Sequence, residues 1–163
     1  MRYAGNVPLP ITPASCSFLL PKMRRVHLKY KKLMIRDLSL AAKASCSLED
    51  QETLVPMVLQ LKKLSELVTK QGVLALENEL PQIKDSFLNL GIQLIIDKVE
   101  AQNIKDILDS DIYYNQSNGR ELLKKIIIRE GLLRIQAGDT PRNVLICTKV
   151  FLGKIGDTAF RSF

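Results

Sequence analysis

Few side chains in this 163-residue sequence are of a type that could do covalent, acid–base or metal chemistry. Cys16, Cys46 and Cys147 are odd in number and far apart, with no C-x-x-C pair. That pattern supplies neither a disulfide framework nor a thiolate metal site, and points to a reducing compartment. His27, the only histidine, lies in the most cationic stretch of the chain. Positive neighbours disfavour its protonation, and it reads as a surface bystander. The acid pairs Glu77/Glu79 and Asp109/Asp111 are spaced by two, so on a helix each pair diverges instead of converging on a substrate or cation, and solvated faces are expected. Gly138-Asp139 has no second glycine, no following Lys-Ser/Thr and no preceding strand, which makes it a helix cap and not a phosphate loop. The reading is of a non-enzymatic protein, with no catalytic residue, no metal ligand and no cofactor.

Charge is the feature that could act on a partner. The net charge of +7 is unevenly placed: residues 1 to 45 hold nine Lys or Arg against one acid, Asp37, and the rest of the chain holds fifteen against sixteen. Within that end, Met23, Val26, Tyr30, Leu33, Met34 and Leu38 recur at spacings of three and four, which predicts a basic amphipathic helix over 22–43. Its patch is Arg24, Arg25, Lys29, Lys31, Lys32 and Arg36. Such a helix is most often a solvated face, but its charge suits an anionic membrane surface or an acidic protein. Nucleic acid is the least expected partner, since no RNA- or DNA-binding signature accompanies the patch.

The elements that position these residues follow from periodicity. Residues 1–21 contain Pro8, Pro10, Pro13 and Pro21, and are expected as an extended or poorly ordered lead. The prolines also interrupt any signal-peptide core, and the longest apolar runs, Val73 to Leu76 and Val144 to Cys147, are four residues, far below the roughly 20 that a membrane span needs. Ser47 with Asp50 predicts a helix start. The helical period then runs through Leu54, Val58, Leu61, Leu64 and Val68 toward Gly72 or Leu80, with Pro56 as a kink. Further apolar faces fall at Ile83 to Ile95 and Ile104 to Ile112, and then comes a polar break at 115–119. Glu121 to Ala137 forms the next helix, closed by Gly138, and Asp139 or Thr140 with Pro141 opens another. No segment alternates with period two. The expected fold is all-α, a compact bundle of about five to seven helices with no transmembrane segment. The basic helix occupies 22–45, a single helical domain 46–152, and a tail 153–163.

Two stretches carry a resemblance. In Leu64 to Ile112, the positions Gly72, Leu74, Leu76, Glu77, Asp85, Phe87, Gly91, Leu94, Asp97, Ile107, Leu108 and Ile112 fit a family pattern of Gly, then Leu-x-x-Leu-Glu or a near variant, D-x-F-x-x-x-G-L-x-L-x-x-D and I-L-x-x-x-I. This resembles the cytoplasmic segment between the second and third membrane helices of flagellar stator subunits, of the MotA/TolQ/ExbB family. In Ile127 to Arg142, Glu130, Gly131, Ile135, Gln136, Gly138, Asp139, Pro141 and Arg142 fit the cytoplasmic tail after that family's fourth membrane helix.

The membrane helices that lie between these pieces in the family, and that line its ion path, have no counterpart here: Ser117-Asn118-Gly119 leads straight to Glu121. The resemblance therefore implies a membrane-free paralogue or truncated relative of a stator subunit that conducts no ions. It implies protein partners, the rotor switch protein or stator components, met through Lys70 and Glu77, and a place in the cytoplasm near the inner face of the membrane at the flagellar motor. The family's basic residue before the glycine falls on Thr69, with Lys70 beside it, and after Arg142 the sequence departs from the family, with Lys149 and Lys154 replacing acids. The alternative from the residues alone is a peripheral membrane or nucleic-acid binder using the basic helix 22–43.

Overall fold

The structure, a computed structural model, describes residues 42–160, the Thr158 side chain excepted. The lead, His27 and the patch Arg24, Arg25, Lys29, Lys31, Lys32 and Arg36 lie outside the described residues. Within them the chain is all-α, with no strand. The order is α1 (Leu48–Glu52), α2 (Val55–Gln71), two 3-10 turns (Val73–Asn78 and Leu80–Gln82), α3 (Ser86–Ile96), α4 (Ala101–Tyr114), α5 (Gly119–Gln136), α6 (Pro141–Lys149), a 3-10 turn (Val150–Leu152) and α7 (Gly153–Ala159).

Side-chain caps and left-handed residues set the boundaries. The Ser47 hydroxyl accepts from the Asp50 N–H at 3.1 Å and donates to the Asp50 carboxylate at 2.8 Å, a reciprocal cap on α1. Asp85 accepts from the Leu88 N–H at 2.9 Å at the start of α3, and the Thr140 hydroxyl caps α6 through the Asn143 N–H. The expected long helix from Ser47 is in fact two. α1 ends at Thr53, and Pro56 sits in the first turn of α2, where its missing N–H leaves no hydrogen bond unmade. Pro56 therefore starts a helix and kinks none. α2 stops at Gly72, whose φ of 85° no β-carbon residue adopts cheaply.

The core forms around α5. Leu122, Ile126, Ile127, Ile128, Leu132 and Ile135 are buried, as are Leu123, Lys125, Arg129 and Gly131, so α5 has almost no solvent face. A helix covered on all sides must lie at the centre. It packs against α2, α3, α4 and α6. Glycines set the closest approaches. A β-carbon on Gly131 would stand 2.7 Å from Leu61 Cδ1 of α2, and one on Gly91 of α3 would overlap Leu132 Cδ1 of α5. Residues after 152, expected as a tail, form α7, with Ile155 and Phe160 buried and contacts to α1 and α6.

Candidate functional site

The residues assigned to partner contact lie at one corner. Lys70 occupies the last turn of α2, where a cation complements the negative end of the helix dipole. Gly72 then turns the chain into the 3-10 segment, which Leu76 pins by burying its side chain at 1% exposure. Glu77 follows on that segment. Both Lys70 and Glu77 are exposed, and no ion pair joins them among the described residues. Thr69 is exposed as well, but its hydroxyl donates to the Ser65 carbonyl at 2.8 Å and so folds back on its own helix. Leu74 stands beside this group at 64% exposure. In a 3-10 helix residues i and i+3 eclipse, which puts Leu74 and Glu77 on one edge. The corner thus offers an exposed apolar side chain, an exposed anion and an exposed cation.

Several of the other motif positions build the seam that holds the two stretches together. On the tail side, the Gln136 amide donates to the Val99 carbonyl at 2.5 Å, and the Ser65 hydroxyl donates to the Asp139 carbonyl at 3.4 Å. Arg134 bridges Glu130 at 3.0 Å and Asp139 at 3.3 Å, and burial, outweighed by these two acids, leaves its guanidinium above its ordinary range. Gly138 takes φ 78° to close α5, and Pro141 opens α6. Of the tail motif, Arg142 is exposed.

Three ion pairs cross from the first stretch to α5. Asp85 meets Lys124 at 2.9 Å, Asp111 meets Lys125 at 2.6 Å, and Asp109 meets Arg129. Burial alone would raise the Asp85 pKa, but the Leu88 and Phe87 N–H groups and Lys124 outweigh it and hold the carboxyl below the usual carboxylate range. Lys124 is shifted up: burial lowers it, and Asp85 and Glu121 more than offset that. Lys125 also lies 5.1 Å above the centroid of the Phe87 ring, a cation–π contact. Asp109 and Asp111, read from sequence as solvated, are instead the anions for two buried cations of α5. In the sequence Lys125 and Arg129 stand at a spacing of four on either side of Ile126 to Ile128, which puts them on one face of α5 but does not specify their partners.

Nothing in the described residues converges as a catalytic centre would. No group of three or more His, Cys, Asp or Glu side chains is placed to hold a metal ion among them. Cys46 and Cys147 are free thiols, and burial, with Asp50, pushes the Cys46 thiol above its ordinary value and so away from the nucleophilic thiolate.

Comparison with known proteins gives partial likenesses. Motility protein A from two strains of Helicobacter pylori is 29% identical over 102 residues, which is 63% of this chain and 37% of that protein. Motility protein A of Borreliella burgdorferi is 37% identical over 54 residues, 33% of this chain and 21% of that protein. No family model and no solved structure matches. The matched stretch spans little more than a third of the Helicobacter proteins' length. Across 63% of its length this chain is similar to Motility protein A, a likeness to part of that protein and not to the whole.

Proposed function

We propose that this chain is a non-conducting binding module of the flagellar motor, resembling the cytoplasmic part of a stator subunit and acting by contact with rotor or stator components. One observation carries the reading. The two stretches that the resemblance places on either side of a pair of membrane helices lie here on α4 with the elements before it and on α5 with α6. α4 and α5 are joined by the four residues Asn115 to Asn118, and the whole packs as one body with α5 at its centre. No helix among the described residues is long and apolar enough to cross a membrane. A domain closed in this way has a surface to offer and no path for an ion. The exposed corner of Lys70, Leu74 and Glu77 is the contact surface, and the working place is beside the motor at the inner face of the membrane.

Deletion of the gene in a flagellated bacterium that carries it, followed by tracking of single swimming cells, tests the proposal. Reduced speed or a reduced number of active stators is expected, restored by the wild-type chain and not by Lys70→Glu with Glu77→Lys. Unchanged swimming and unchanged stator assembly would refute it. The second reading, a peripheral binder of anionic membranes or nucleic acid through 22–43, rests on composition. It predicts salt-sensitive binding to anionic vesicles or DNA that is lost when Arg24, Arg25, Lys31 and Lys32 are replaced by Gln.

A further inference from the structure

The outward face of α4 is unlike the other solvent faces of the domain. Asn103, Ile107, Ser110 and Tyr114 fall at i, i+4, i+7 and i+11 and are all exposed, so they form one stripe. Tyr113 flanks the stripe. Of the large apolar side chains exposed in the described residues, three are therefore grouped here, and the two tyrosines are the most exposed, at 76% and 80%. Their rings meet edge to face with centroids 5.4 Å apart, which fixes them against each other while leaving ring faces open to solvent.

The exposed charge on this stripe is acidic. α4 has no basic residue of its own in its last turn, beside the tyrosine pair, and the Lys125 ammonium that reaches that turn from α5 is paired with Asp111. Asp106 lies exposed along the same side of the helix, its carboxylate accepting from the Gln102 amide at 2.9 Å. The bases that reach α4 are turned elsewhere: Lys105 and Arg129 to Asp109, and Lys125 to Asp111. Two ring faces, an anion and the negative end of a helix thus share a surface on which Ile107 supplies apolar area.

We infer that the outward face of α4 is a docking surface for a basic amphipathic helix of a partner protein, with Arg or Lys side chains over the Tyr113 and Tyr114 rings and apolar side chains on Ile107. Aromatic rings with open faces attract guanidinium and ammonium groups, and tyrosine is among the side chains that anchor protein interfaces at little entropic cost. The helical stripe of alternating apolar and polar positions matches a helix laid along it, while a flat bilayer surface would meet Asp106 and the dipole end with repulsion from anionic headgroups. The inference uses a surface distinct from the Lys70–Glu77 corner and stands whether or not the motor assignment does.

The test uses the full chain and two synthetic helical peptides of equal length, one with Arg and Leu on a single face and one with Glu replacing Arg, alongside phosphatidylglycerol vesicles. The Arg peptide is expected to shift the Tyr113 and Tyr114 ring resonances, to bind more weakly as salt rises, and to lose about tenfold in affinity to the Tyr113→Ala, Tyr114→Ala variant, whose exposed positions leave folding intact. Asp106→Asn is expected to weaken it by a smaller factor. Equal binding of the Glu peptide, unchanged affinity of the double tyrosine variant, or tyrosine-dependent binding to vesicles in place of the Arg peptide would each overturn the inference.

Discussion

Gly91 of α3 and Leu132 of α5 occupy one another's space: a β-carbon on the glycine would overlap the leucine Cδ1, and Leu132 is fully buried. This contact joins the stretch that resembles a stator loop to the stretch that resembles a stator tail. Gly91→Ala gains about 1 kcal/mol of helix propensity but must displace a core side chain, and net destabilisation of about 1–2 kcal/mol is expected in urea unfolding. Leu132→Ala alone should cost about 2–5 kcal/mol. The double variant should be more stable than the sum of the two predicts, because the new methyl fills part of the cavity. Strict additivity would show that the two helices do not meet there.

The pair formed by Asp109 and Arg129 predicts a second asymmetry. Arg129 is buried at 2% exposure, so Asp109→Asn takes a charged partner from a buried cation, whereas Asp106→Asn on the same helix touches only the surface pairing of its carboxylate with Gln102. Loss of about 2–3 kcal/mol is expected for the first and under about 0.5 kcal/mol for the second, measured by thermal and urea unfolding. Equal effects would mean that the buried pair contributes nothing specific.

Acid sensitivity should trace in part to Asp85. Its folded pKa is held below the usual value, so its contribution to stability is complete above the unfolded carboxylate pKa of about 4 and is lost as the pH falls through the folded value. Lys124 has the opposite sign: shifted up, it contributes fully below about pH 10 and loses its contribution as the pH rises through its folded value. Asp85→Asn, which keeps a capping oxygen, should narrow the stability difference from wild type steadily as the pH drops from 6 to 2. A difference independent of pH across that range would contradict the assignment.

Among the described residues three helices close through a pair of backbone hydrogen bonds around a residue of positive φ, and only one of those residues is glycine: Lys98 after α3 has φ 57°, Gln116 after α4 has φ 46°, and Gly138 after α5 has φ 78°. Each closes the same way. In α4 the Gln116 N–H reaches the Tyr113 carbonyl and the Ser117 N–H reaches that of Ile112. Lys98→Gly and Gln116→Gly should each stabilise by about 0.5–1 kcal/mol, and Gly138→Ala should destabilise by about 1 kcal/mol, read from urea midpoints. Stabilisation by Gly138→Ala would refute the cap geometry.

The sequence shows some of this directly and hides the rest. The α1 cap was legible in Ser47 and Asp50, and the end of α5 in Gly138, because local hydrogen bonding and a φ that favours glycine need no tertiary partner. Lys98 and Gln116 gave no such sign, since their side chains do not announce a left-handed backbone. The break between α1 and α2 was hidden by an apolar period that continues across it, and Pro56 fits a kink or a first turn equally well until the chain is folded. The pairing of Asp109 and Asp111 with Arg129 and Lys125 needed the packing of α4 on α5, which no spacing within either helix specifies. Lys70 and Glu77 came from the resemblance alone; their exposure is visible only in the fold.

Binding to motor proteins is the most direct test of the proposed function. The full chain, immobilised, is exposed to purified rotor switch protein and to detergent-solubilised stator complex at low and physiological salt. Saturable binding to one of them is predicted, weakened about tenfold by Lys70→Glu with Glu77→Lys and left intact by Ile146→Ser on the outer face of α6. No binding to either, or binding that the charge reversals leave unchanged, would contradict it.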